Sequence, residues 1–240
     1  MFISTISKHL PAVITYVQTP IGDCLLEVVH LVESARYHLH NLDRLTSGAG
    51  NAPQGFQAGV DFKGVVLDSH WRIMTSLIEF EAFLASAKRC LDRAWCCVGP
   101  LLGKETARIR TLGGAVYDLT RKVKDKSVLE VLEHLTYFNI LKNAWFEWGS
   151  ELADLRNYVE HQAPFGGRSF GYTQQTQEGE IIKIFIPDEV PSGKADVPKR
   201  ELTFNKQITA NVYGHQTIAK LDILVTSLLN QRDVLKYVEL

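Results

Sequence analysis

Residues 73–98, IMTSLIEFEAFLASAKRCLDRAWCCV, carry apolar side chains at Ile73, Leu77, Phe80, Leu84, Ala87, Leu91, Ala94 and Val98, spaced alternately by four and three. That seven-residue repeat lays one continuous stripe along a helix, and the stripe requires a second long helix to cover it. The helix is predicted to start near Asp68 or Ser69 and to stop at Gly99 and Pro100. Its polar positions, among them Glu79, Glu81, Ser86, Lys88, Arg89, Asp92 and Arg93, read as solvent-facing.

Partners for this stripe lie on both sides of it. Upstream, Leu25, Val28, Val32, Ala35, Leu39 and Leu42 repeat at threes and fours and mark a helix from about Ile21 to Leu45. Downstream, a third long helix is expected from about Ser127 to His161. Val128, Val131, Leu132, Leu135, Phe138, Leu141, Trp145, Trp148, Leu152, Leu155 and Val159 form its inner face. If continuous it would span roughly 50 Å, and its tryptophans read as core.

The connections differ in kind. Residues 46–64 carry Gly48, Gly50, Pro53, Gly55, Gly59 and Gly64, which cannot continue a helix. Residues 104–126 hold seven basic side chains against three acidic ones, with Gly113 and Gly114 in the middle, and predict one or two short helices. Arg108, Arg110, Arg121, Lys122 and Lys124 in this run could track a phosphate backbone or simply keep a connecting segment solvated. Beyond residue 165 the periodicity changes: Ile181 to Ile186 alternate, Glu178 and Gly179 signal a turn, and Pro187 and Pro191 terminate the run. GGRSFG lacks the lysine and the strand-to-helix setting of a phosphate loop and reads as a link. From about Phe204 to Val238 helical spacing returns through Val212, Ile218, Leu221, Val225 and Leu228. The fold class expected is therefore mainly α: an antiparallel helical bundle forming one domain over residues 1–240. It has a Gly-rich loop at 46–69 and, within an insertion at 165–203, a small β-hairpin before the last helix.

Composition sets the outer bounds. A chain of 240 residues, 45% hydrophobic and 22% charged, is long enough to bury a large core, which excludes disorder as a global description. A formal net charge of -1 gives no overall basic field, so a nucleic-acid partner would have to be held by a local patch. Cys24, Cys90, Cys96 and Cys97 form no CxxC pair and suit reduced, partly buried thiols better than a disulfide framework or a metal site. No metal and no cofactor are expected. The N-terminus does not read as a signal peptide, and no run approaches the length of a membrane span, so a cytoplasmic protein is the expectation.

The chemistry-bearing stretch is Glu151 to Gln162, ELADLRNYVEHQ, ended by Pro164, Gly166 and Gly167. Asn157 and His161 are i, i+4 neighbours on one face, and Arg156 is long enough to reach it. Asn157 sits about 200° round the helix from Leu155, so the trio turns away from the apolar stripe. With Ser150, Ala153 and Asp154 it makes a face of small or polar residues suited to a cleft or a second subunit. The alternative is an ordinary solvated helix face, with His161 interacting with the C-terminal dipole.

Arg-Asn-x-x-x-His at the end of a long helix in a mostly helical chain resembles the HEPN superfamily (higher eukaryotes and prokaryotes nucleotide-binding). The stretch Phe80 to Trp95 is similar to an early helix of several HEPN groups. The resemblance implies a metal-independent endoribonuclease with Arg156, Asn157 and His161 as catalytic residues. It also implies a homodimer that pairs two motifs at one composite site, RNA as substrate, and cyclic phosphate and 5′-hydroxyl products. Glu79, Glu81, Asp92 and Asp154 are candidates for a supporting polar residue. A toxin or defence role, with an antitoxin or other regulatory protein as partner, belongs to the same reading. His161 alone titrates near neutrality and would move the proton, whereas Arg156 offers a fixed-charge fork to phosphate oxygens. The superfamily also contains members that bind without cutting, which leaves a non-catalytic module for a nucleotide, RNA or protein as the alternative. An unrelated helical scaffold is the third reading.

Overall fold

The computed structural model describes residues 20–47, 64–161, 171–176, 179–189 and 203–231. The sequence readings for the N-terminal residues, for most of the Gly-rich segment before residue 64, for residues 166–170 of GGRSFG and for the last turns of the final helix lie outside the described residues. The chain is mainly helical, as the apolar stripes predict. Its helices are α1 (Pro20–Thr46), α2 (Gly64–Cys96), α3 (Lys104–Ala107), α4 (Leu112–Lys122), α5 (Lys126–His134), α6 (Thr136–Ala144), α7 (Ser150–His161) and α8 (Ala210–Leu229). Strands β1 (Gly171–Thr176) and β2 (Gly179–Ile184) precede α8. The fold groups into two compact units, the first taking residues up to 34, 86–153 and from 218 onward, the second taking 35–85 and 154–217.

In the first unit, α1 and α2 run antiparallel. Cys90 donates to the Val28 carbonyl at 3.8 Å and Ser34 meets Ser86 at 3.1 Å, so contact positions on one helix rise as those on the other fall. Leu25, Val28, Val32, Ala87, Leu91 and Ala94 are all buried, which is the cover the seven-residue repeat demanded. Trp95 is fully buried as well, and its indole nitrogen donates to the Ile109 carbonyl at 2.6 Å. Burying a side chain of that size contributes roughly 3 kcal/mol, provided its one polar atom finds a partner.

Two short helices follow in place of one, as Gly113 and Gly114 suggested, yet the glycines do not break the chain. They lie in the first turn of α4, where the Thr111 side chain caps the Gly114 amide at 3.1 Å. A Cβ on Gly113 would sit 2.8 Å from the ring of Trp145, so the glycine is there for close approach.

The expected third long helix is interrupted. Leu135 is extended, with φ -75° and ψ 109°, ending α5 and starting α6. Asn139 returns its side-chain amide to the Glu133 carbonyl at 3.0 Å, satisfying part of the end that the break opens. From Thr136 the helix runs on to His161 through a single π turn, Trp145–Gly149. Most of the inner face holds: Leu132, Leu135, Phe138, Leu141, Trp145, Trp148 and Leu152 are buried, whereas Val128 and Val131 at its start are half-buried.

In the second unit, α1 again faces α2 in antiparallel order, through His38 with Glu79 and Arg72 with Leu45. Arg72, only 5% exposed, donates to the carbonyls of Leu45 and Ser47 at 2.8 and 3.1 Å and so caps the C-terminal end of α1. The start of α8 packs close because Gly214 has no side chain: a Cβ there would lie 2.5 Å from Leu39. Asn211 secures the same end through Asp43 and Thr46, at 2.8 and 2.9 Å.

The β-hairpin is present, with β1 and β2 antiparallel and the register running from Gly171 opposite Ile184 to Thr176 opposite Gly179. Ile182, Ile184 and Ile186 are buried in alternation, the period-two pattern read from the sequence. Two boundaries shift. The second helix begins at Gly64, several residues inside the expected 46–69 loop, and the last helix begins at Ala210.

Candidate functional site

Helix α7 presents its motif as its periodicity dictates. Leu155 and Val159 are buried at 2% and 4% exposure, while Asn157 on the opposite side is exposed and Arg156, on the flank between, is half-buried. The Arg156 guanidinium donates from Nη1 to the Asn157 Oδ1 at 3.1 Å and forms an ion pair with Glu160, one turn on. This pair was legible in the sequence as Arg at i and Glu at i+4, and it is the site contact that reading for the motif alone missed. His161 closes α7, and its side chain lies outside the described residues.

Asp154, one turn before Tyr158, is the supporting candidate nearest the motif along the chain. Burial raises its carboxyl pKa above the ordinary aspartate range. Glu79 is engaged elsewhere: its carboxylate meets His38 Nδ1 at 2.8 Å and accepts from the Asn41 amide at 3.3 Å, linking α1 to α2. Glu81 is half-buried on the same helix. Asp92 has structural work in the first unit, where one oxygen accepts from the Leu112 amide at 3.0 Å at the start of α4 and the other pairs with Lys88.

The basic residues Arg108, Arg110, Arg121, Lys122 and Lys124 also belong to the first unit and are all exposed. Lys122 pairs with Asp118 at 2.9 Å, and the Lys124 backbone amide donates to Glu105 at 2.8 Å. A groove of about 270 Å³ opens in that unit between α4, α5 and α6, lined by Leu119, Leu132, Phe138, Asn139 and Lys142, and contains none of the motif residues.

Among the described residues no group of three His, Cys, Asp or Glu side chains is placed to hold a metal ion, and no helix is long and apolar enough to cross a membrane. Compared with known proteins, the chain matches no family model, no curated protein and no solved structure. The functional reading therefore stands on the residues of α7 and on the chemistry they can perform.

Proposed function

We propose that the chain is a metal-independent endoribonuclease of the HEPN kind, acting as a homodimer, with Arg156, Asn157 and His161 of two protomers completing one site. The observation that carries this reading is the 3.1 Å bond by which half-buried Arg156, on the flank of α7, meets exposed Asn157 on the side opposite buried Leu155 and Val159. It supplies a planar cation and an oriented amide on a surface that RNA can reach. In the reaction, His161 takes the proton from the ribose 2′-hydroxyl or returns one to the leaving 5′-oxygen. Arg156 balances the charge that grows on the phosphorane, and Asn157 orients the guanidinium or the phosphate. Two imidazoles in a dimer divide the acid and base roles. The implied biological setting is a toxin or defence nuclease held in check by a protein partner.

The ion pair with Glu160 sets the cost of entry. Glu160 is exposed and Arg156 half-buried, and a pair so open to solvent is worth about 0–1 kcal/mol, less than a bidentate guanidinium–phosphate contact. Phosphate therefore displaces Glu160 readily. The test is to incubate purified protein with mixed-sequence RNA in EDTA. Cleavage by wild type that is lost in Arg156→Ala and in His161→Ala is the expected result, and an inert wild type contradicts it.

The same ion pair favours a second reading. A guanidinium already neutralised by its own helix suits a polar contact in a module that binds without cutting. RNA binding by wild type that survives both substitutions, with no cleavage, would select that reading.

A further inference from the structure

Helix α2 carries a second apolar stripe on the side away from its buried one. Within the second unit, Trp71, Met74, Ile78, Ala82 and Ala85 hold no charge, and at 100° per residue they fall within an arc of about 80° on the helix surface. Leu77, Phe80, Phe83 and Leu84, all buried, take the opposite side. The second stripe is open: Trp71 is 43% exposed and Ile78 58%, and the other three are half-buried. Beside it, Thr75 returns its hydroxyl to the Trp71 carbonyl at 2.9 Å, so its polar atom is satisfied within the helix.

The stripe is symmetric in position and inverted in size. Its spacings run 3-4-4-3, the same in either direction from Ile78. Two antiparallel copies of the helix brought together on this face therefore lay stripe on stripe, with Ile78 on the two-fold axis, Trp71 opposite Ala85 and Met74 opposite Ala82. Bulky side chains occupy one half and methyl groups the other. Each large side chain then meets a small one, and the surfaces interlock without overlap or void. Glu81, at the edge of the stripe, falls opposite Thr75 rather than a second carboxylate. An unrelated partner would require neither the positional symmetry nor the size inversion; a second copy of α2 uses both.

We infer that α2 is the homodimer contact, with two copies packed antiparallel through Trp71, Met74, Ile78, Ala82 and Ala85. The stripe alone selects the surface, while the need for a second copy rests also on the nuclease reading, whose site one protomer leaves incomplete. Apolar side chains exposed in a line, rather than singly, mark an association surface. Two crossing helices cover less than the roughly 800 Å² a side of a tight complex, so the dimer is expected to dissociate in the micromolar range.

The test is sedimentation velocity of the full chain without RNA, over about 1–100 μM, where wild type should pass from monomer to dimer. Ile78→Glu sets two carboxylates on the axis and should stay monomeric throughout, with unchanged helical circular dichroism because Ile78 is on the surface. Ala85→Trp sets tryptophan against tryptophan and should weaken the dimer at least about tenfold, and adding Trp71→Ala should recover most of that loss. Ile78→Cys should cross-link through residue 78 of both chains on mild oxidation, whereas Ile223→Cys, at a site 68% exposed on α8, should not. A wild type that stays monomeric, including one whose stripe is covered by a different protein, would overturn the inference, as would a dimer that survives Ile78→Glu. Dimers joined through residue 78 that leave RNA intact would refute the nuclease reading alone. RNA cleaved by a dimer that Ile78→Glu does not disturb would refute this surface alone.

Discussion

The polar groups around Trp95 and those around Arg156 obey opposite rules. In the first, every polar atom named has a partner fixed by the fold: Trp95 has the Ile109 carbonyl, Tyr137 the Ala94 carbonyl at 3.1 Å, and Asp92 the amide that opens α4. In the second, Arg156 is held, among the described residues, by Asn157 and Glu160, one and four positions along its own helix and both open to solvent. Buried groups left unpaired cost 1–3 kcal/mol, so the first arrangement cannot change without loss. Exposed pairs exchange with water or ligand at almost no cost, so the second can. Stability resides in the one, and the proposed exchange of Glu160 for phosphate in the other.

Substitutions that attack the buried side should therefore cost most. Trp95→Ala is expected to destabilise the protein by roughly 3–5 kcal/mol in urea unfolding, through the cavity and the orphaned Ile109 carbonyl. Gly113→Ala should cost about 1–3 kcal/mol, because the new methyl meets the ring of buried Trp145 and neither can withdraw without repacking. Asp92→Ala should cost about 1 kcal/mol by removing the cap on α4. It also sharpens the contrast, since an unchanged cleavage rate per folded molecule is expected if Asp92 is structural, and a collapsed rate would return it to the catalytic set.

On the exposed side the stability changes should be small. Glu160→Gln is expected to shift stability by less than about 1 kcal/mol while tightening RNA binding, as measured by fluorescence anisotropy, because Arg156 is freed. Asp154 gives the smallest effect. Its folded-state pKa is raised by burial, so the ionised carboxylate is a destabilising group above that pKa, and the penalty vanishes as pH falls below the unfolded value. Asp154→Asn should thus add about 0.5 kcal/mol or less at pH 7 and nothing in acid, checked by thermal melts at both pH values.

What was legible in the sequence follows from the same division. Burial stripes can be read, and Leu77, Phe80, Leu84, Ala87, Leu91, Ala94 and Val98 are buried as their spacing requires. The break at Leu135 could not be read, because Leu135 continues the apolar pattern and is itself buried; periodicity cannot detect a one-residue kink that keeps the same side inward. Gly113 shows the converse, a residue that looks like a breaker and serves a ring in close contact. At the candidate site the motif on α7 was visible, and so was the Glu160 spacing that pairs with it. What Glu79 and Asp92 bind was not, because those partners are fixed by tertiary contacts 41 and 20 residues away along the chain.

Analysis of the ends left on RNA tests the nuclease reading most directly. In EDTA, wild-type protein should leave 2′,3′-cyclic phosphate and 5′-hydroxyl ends, since the substrate's own hydroxyl is the nucleophile and His161 moves the proton. Ends bearing a 5′-phosphate, or RNA recovered intact from a dimeric and folded preparation, would contradict it.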